Sequence, residues 1–170
     1  MYEAGLFRDE RVELLDGEII AMSPQNNPHA STIARINNLL IPLLGPKASV
    51  RVQLPIRLDP RSEPEPDFAI CKLDPDDYAA GHPRPTDILL LVEVADASLA
   101  FDRKRKRAAY ARAGIPELWI VNLPDHRVEV SSRPDAASGR YRVARHASAG
   151  DLLTLPDGSA LAAASLLPRH

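Results

Sequence analysis

The sequence predicts an α/β domain in which a strand–helix–strand unit is joined to antiparallel strands. Three stretches carry that expectation. Ile88 to Val94 is apolar at nearly every position, as in a strand covered on both faces, and Leu118 to Val121 resumes as a strand after an intervening helix. Val50 to Leu58 alternates Val50, Val52, Leu54, Ile56 and Leu58 against Arg51, Gln53, Pro55 and Arg57, so one face is core and the other is wet or lines a site. His29 to Leu44 spaces Ile33, Ile36, Leu40, Leu43 and Leu44 as the apolar stripe of an amphipathic helix. At 170 residues and 45% hydrophobic content, a single domain over residues 1–170 can build a core without disulfides or metal staples.

Taken in order, Val12 to Met22 carries Asp16-Gly17 between apolar flanks, the strongest hairpin signal in the chain. Glu13 and Glu18 border the turn, and Glu18 reads as solvent-facing. Ser23 to Pro28 is a polar loop. His29 opens the helix, where a lone histidine reads as a cap or surface residue because no second histidine lies at metal-binding spacing. Pro42 should bend or end that helix. After the Val50–Leu58 strand, a turn through Asp59 to Pro64 leads to Pro66–Cys71, its antiparallel partner, with Asp67 sharing a face with Ala69 and Cys71 opposite Phe68 and Ile70. Lys72 to Asp87 is rich in Pro, Asp and Gly and reads as a long loop, either a flap beside a site or surface ornament.

Pro85 to Asn122 organises the rest. Glu93 interrupts an apolar strand, and an ionised carboxylate there requires a cation or strong donors beside it. Asp102 is placed to cap a helix running to Ala113, with Gly114 to end it and Pro116 just beyond. Strands joined through such a helix are parallel neighbours with a right-handed crossover. Asp102, Lys106 and Tyr110 then fall on one helical face, and Lys106 can reach back to Glu93. Beyond Asn122, Arg127–Arg133 and Arg140–Arg145 read as strands around the loop Pro134–Gly139, Asp151–Pro156 as an extended piece, and Leu161–Leu167 as a small C-terminal helix.

Composition narrows the function classes. Lys plus Arg at 21 against Asp plus Glu at 23 gives a net charge of −2, unlike a protein that coats nucleic acid, so contact with DNA must use local patches. Cys71 is the only cysteine, which rules out an internal disulfide and suggests a reducing, cytoplasmic compartment. The N-terminus is acidic where a signal peptide would be basic and then apolar, and no apolar run is long enough for a bilayer.

The candidate chemistry is carboxylate-based. Hydrolysis of a phosphodiester needs charge neutralisation, an activated water and a stabilised leaving group, and Mg²⁺ held by oxygen ligands can serve all three. Asp67, Glu93 and the backbone carbonyl of Val94 make such a ligand set, and Lys106 would act on the water or the phosphate. Each has a plainer reading. Asp67 after a proline can be a turn residue, Glu93 can form a structural ion pair with Arg105, Lys106 or another arginine, Arg103 to Arg107 can be a solvated helix surface, and Tyr110 and Trp119 can be core aromatics with satisfied polar tips.

Pro66-Asp67, Val92-Glu93-Val94, then Asp102, Lys106 and Tyr110 followed by Ala111 to Val121 together resemble the Uma-type family of restriction-endonuclease-like proteins, within the PD-(D/E)xK nuclease superfamily. Glu13-Leu14-Leu15-Asp16-Gly17-Glu18 is similar to that family's opening motif, and Pro28-His29 to the start of its next helix. The resemblance implies a restriction-endonuclease-like core, a mixed sheet flanked by helices, with Asp67 and Glu93 as metal ligands. The superfamily's lysine stands two residues after the glutamate. That position is Ala95 here, and Lys106 on the following helix takes the role; Asn122 stands where the family usually has an aspartate.

The expectation is a Mg²⁺- or Mn²⁺-dependent endonuclease acting on DNA as a homodimer. Asp67, Glu93 and Lys106 would be catalytic, Glu13, Gln53 and Tyr110 accessory, and Arg103 and Arg107 would touch the DNA backbone. Two alternatives stand beside it: a non-catalytic nuclease-fold module binding DNA or a protein, and a structural ion-pair cluster with no metal.

Overall fold

A computed structural model describes residues 11–22 and 24–168. The acidic segment 1–10 and Ser23 of the expected loop lie outside the described residues. Asp16 and Gly17 take φ of 54° and 82°, the left-handed pair that a two-residue turn requires, and join β1 (Val12–Leu15) to β2 (Glu18–Ala21) as a separate two-stranded sheet. α1 (Asn27–Leu44) is capped by Asn26, whose side chain accepts from the His29 N–H, and it runs past Pro42 for two residues before ending at Gly45. Its buried stripe is Thr32, Ile33, Ile36, Leu40 and Leu44.

β3 (Ser49–Val52) is shorter than the alternation predicts. Gln53 adopts φ of 50° and turns the chain out of the sheet, and Pro55 has no N–H with which to continue a ladder. β4 (Phe68–Cys71) pairs antiparallel with β3, β5 (Ile88–Ala95) pairs antiparallel with β4, and β6 (Glu117–Asn122) lies parallel to β5. β7 (Arg127–Asp135) and β8 (Arg140–Ala147) complete a six-stranded mixed sheet in the order β3-β4-β5-β6-β7-β8. The central position of β5 explains its apolar run.

The two faces of this sheet bury different sets. Phe68, Ile70, Leu90, Val92, Val94, Trp119 and Val121 pack beneath α1, and Ala69, Leu91, Ala95, Leu118 and Ile120 pack with Tyr110, Ala111 and Ile115 on the other side. Each fully buried Leu or Ile contributes about 1.5–3 kcal/mol, which fixes the strand register and hence the face on which Glu93 emerges. Glu93, between Val92 and Val94, points to the side of Tyr110.

The helix after β5 departs from expectation. It spans 99–112, here α2, and consists of Leu99–Phe101, a wide turn with i→i+5 hydrogen bonding over Asp102–Lys106, and Arg107–Arg112. Asp102 is therefore inside the helix and not its cap. A regular α-helix drifts as it passes from i to i+4 to i+8, and the wide turn offsets that drift, so Asp102, Lys106 and Tyr110 are all buried on one line. Gly114 does end the segment, with φ of 78°.

The C-terminal region is also corrected. β9 (Leu152–Thr154) pairs antiparallel with β10 (Ala160–Ala162), and only a single 3₁₀ turn, Ala163–Ser165, stands where Leu161–Leu167 suggested a helix. The loop 72–87 packs Tyr78 against the second of the sheet's two apolar sets and stacks it under Arg51, 5.4 Å from the ring centre, and contributes nothing to the cavity described below. No helix among the described residues is long and apolar enough to cross a membrane.

Candidate active site

β4 runs antiparallel to β5 with Phe68 opposite Val92, which brings Asp67 to the start of β4 beside Glu93 near the end of β5. Backbone and side chains then cross-link the two carboxylates: the Asp67 N–H donates to Glu93 Oε2 at 3.3 Å, and the Val94 N–H donates to Asp67 Oδ2 at 2.8 Å. The left-handed turn at Gln53 aims its amide at Asp67 Oδ1, 3.1 Å away. From the first turn of α1, His29 Nε2 lies 3.2 Å from Asp67 Oδ2.

Glu93 is held from α2. Tyr110 donates its hydroxyl to Glu93 Oε1 at 2.6 Å, and Lys106 Nζ stands 3.2 Å from the same oxygen and 3.2 Å from Glu13 Oε2 of the hairpin. Glu13 also accepts the Glu65 N–H, and Ser98 Oγ donates to Asp102 Oδ2 at 2.6 Å.

Charge in this pocket is unbalanced. Burial pushes the Glu93 and Asp102 carboxyls upward, and neighbouring acids reinforce this against the pull of Lys106. Burial opposes the Lys106 charge as well, but Glu93 and Glu13 outweigh it and hold the ammonium protonated. Asp67 is the contrary case, since the His29 and Val94 bonds overcome its burial and keep it below the usual range. The same hydrogen bond raises His29, and the Val94 backbone adds to it.

These groups line a cavity of about 370 Å³. Its walls include Glu13, His29, Gln53, Asp67, Glu93 and Lys106, with Ile20 to Met22 of the hairpin on one side. The structure thus brings together Asp67, Glu93, Val94, Lys106, Glu13 and Gln53, with Tyr110 behind Glu93. Val94 enters through its N–H. Arg103 and Arg107 do not line the cavity: Arg103 is bound by both oxygens of Glu129 and pairs with Asp125.

His29, read as a cap or surface residue, and Asp102, read as a helix cap on the face of Lys106, both line the pocket. The signal for His29 was its position one residue after Pro28 at a helix start, but its partner Asp67 is 38 residues away. Asn122, fully buried, donates to Glu129 Oε1 at 2.7 Å and to Asp125 Oδ2 at 2.9 Å. An aspartate there would face two carboxylates without a donor, so the amide suits this chain's own network.

The family profile described as "Putative restriction endonuclease", Uma2, matches residues 2–165. The chain belongs to the Uma2 family. Among solved structures it is similar to a putative nuclease belonging to DUF820 from Anabaena variabilis, at 12% identity and a TM-score of 0.69, over 93% of this chain and 90% of the other. At that identity the likeness shows the fold, a nuclease fold built on a mixed sheet with few helices. A search of curated proteins returned no match.

Proposed function

We propose that this Uma2-family chain is a Mg²⁺- or Mn²⁺-dependent endonuclease that hydrolyses DNA phosphodiester bonds at the Asp67–Glu93–Lys106 centre. The observation that carries the reading is the cross-linked pair Asp67 and Glu93 with Lys106 Nζ 3.2 Å from Glu93, all facing one cavity.

The donor set fits a hard divalent cation. Six acids line the pocket, Glu13, Glu65, Asp67, Glu93, Asp96 and Asp102, against Arg11, Lys106 and His29, and burial drives Glu93 and Asp102 toward protonation. Such a surplus of oxygen donors is what a divalent ion would relieve. Among the described residues no three His, Cys, Asp or Glu side chains converge on one point. A magnesium-type site asks for fewer protein ligands than that: Asp67 and Glu93 would supply two, the Val94 carbonyl a further oxygen, and water the rest. When bound, the ion supplies charge neutralisation at the phosphoryl oxygens and a more acidic water.

The chain's own residues do the remaining work. Lys106, protonated and fixed between Glu93 and Glu13, places a positive charge where phosphate oxygens gain negative charge, which favours electrostatic stabilisation over proton abstraction. Tyr110 holds Glu93, while Gln53 and His29 hold Asp67. Cutting both strands with one centre per chain calls for a two-fold dimer. The test is cleavage of plasmid DNA with Mg²⁺ or Mn²⁺ by the wild type and by Glu93→Gln. Metal-dependent nicking that Glu93→Gln loses supports the proposal. Absence of cleavage in both favours the non-catalytic module, a reading to which the internal satisfaction of Lys106 by two carboxylates also lends itself.

A further inference from the structure

The β1–β2 hairpin stands apart from the six-stranded sheet, yet each of its three acids is paired with a different cation of one helix. Glu13 meets Lys106, Asp16 meets Arg112 and Glu18 meets Arg105. The first pair is buried, and the other two are open to solvent, with side-chain exposures of 45% and 41% for Arg112 and Asp16, and 39% and 65% for Arg105 and Glu18. The buried pair thus fixes the hairpin over α2, whereas the outer two are of the kind that water and salt weaken.

We propose that Arg105 and Arg112 form a face for the phosphodiester backbone of nucleic acid, and that Asp16 and Glu18 occupy this face in the free protein. The nature of the partner rests on the nuclease reading; the geometry does not. Arg112 Nη2 reaches both oxygens of Asp16, at 2.7 and 2.9 Å, and a guanidinium donates to phosphate oxygens through the same N–H groups. Arg112 is also positioned independently of Asp16. Its aliphatic stem crosses Gly139, where a Cβ would come within 3.1 Å of Arg112 Cγ.

The two arginines are seven positions apart, about 10 Å along a helix, and so lie two turns from one another on the same face. Arg105 directly precedes Lys106, so the face begins beside the cavity. Arg103, by contrast, is committed to Glu129 on another side of the helix. A polyanion carries a denser charge than two isolated carboxylates and gains counterion release on binding, so it can displace them.

The test is binding of a fluorescent DNA duplex, by anisotropy, without divalent metal at about 50 mM salt and upward. Asp16→Asn/Glu18→Gln removes the internal occupants, and asparagine accepts the left-handed turn at position 16. Asp76→Asn/Asp77→Asn, at exposed positions of the loop 72–87, changes net charge equally and serves as the control. The hairpin variant should bind roughly three- to tenfold tighter than wild type, and the control less than about twofold tighter. Arg105→Gln/Arg112→Gln should weaken binding and lower the salt slope by about two, and adding the hairpin changes to it should restore nothing. Equal tightening in the control, no change or weaker binding in the hairpin variant, or no binding by any of the proteins would overturn the proposal. A protein that follows the expected pattern but cuts no DNA keeps this face and loses only the catalytic reading.

Discussion

Lys106 Nζ stands 3.2 Å from Glu93 Oε1, although 13 positions separate the two residues, and one turn further along α2 Tyr110 reaches the same carboxylate. Removing the lysine would leave Glu93 and Glu13 buried together without their ammonium. Lys106→Ala should therefore abolish cleavage, leave metal binding largely intact and cost about 3–5 kcal/mol of stability in urea denaturation. Full activity in the variant would contradict the assigned role.

Tyr110 makes a narrower contribution. Tyr110→Phe keeps the ring in its fully buried slot and deletes one charge-assisted hydrogen bond to Glu93, so stability should fall by about 1–3 kcal/mol. An unchanged urea midpoint would mean that the Lys106 contact alone satisfies Glu93.

His29 acts on the site through Asp67. His29→Ala should reduce affinity for Mn²⁺ by roughly tenfold, the usual effect of losing a group that orients a ligand, and His29→Gln should recover part of it through its amide donor. Calorimetry in which all three proteins bind alike would assign the histidine a packing role only.

The Arg103–Glu129 pair predicts a pH dependence on the far side of α2. Burial opposes ionisation of Glu129, but hydrogen bonds from Arg103 and Asn122 outweigh it and hold the carboxyl below its ordinary pKa of 4.5. A depressed carboxylate contributes stability that is complete above the ordinary value and is lost as pH falls through the folded one. Glu129→Gln should thus cost about 1–2 kcal/mol near pH 7, and its difference from wild type should close as pH is taken below 4.5. A difference that stays constant down to pH 3 would contradict this assignment.

Much of the fold was legible because it follows from local pattern. The apolar run of β5, the Asp16-Gly17 turn and the stripe of α1 each state their own structure, and the parallel pairing of β5 with β6 follows from the helix between them. What escaped depends on distant partners or on backbone detail that composition does not encode. The left-handed Gln53 ends β3 five residues before its alternation fades. Leu161–Leu167 is too short to stand as a helix alone, and pairing of Leu161 with Leu153 and the Ala163 N–H bond to Asp151 draw its start into a hairpin. His29 and Asp67, and Arg103 and Glu129, meet only once the sheet is assembled, so the basic run Arg103 to Arg107, which reads as a solvated helix surface with Arg103 and Arg107 toward DNA, has Arg103, Arg105 and Lys106 bound instead by Glu129, Glu18 and Glu93.

The central claim is that the Asp67–Glu93 pair binds a divalent metal, and titration of Mn²⁺ into wild type and Glu93→Gln by calorimetry addresses it without any choice of substrate. The account predicts binding to the wild type that disappears in the variant while both remain folded. Equal heats in the two proteins, or no binding by the wild type up to millimolar metal, would contradict it.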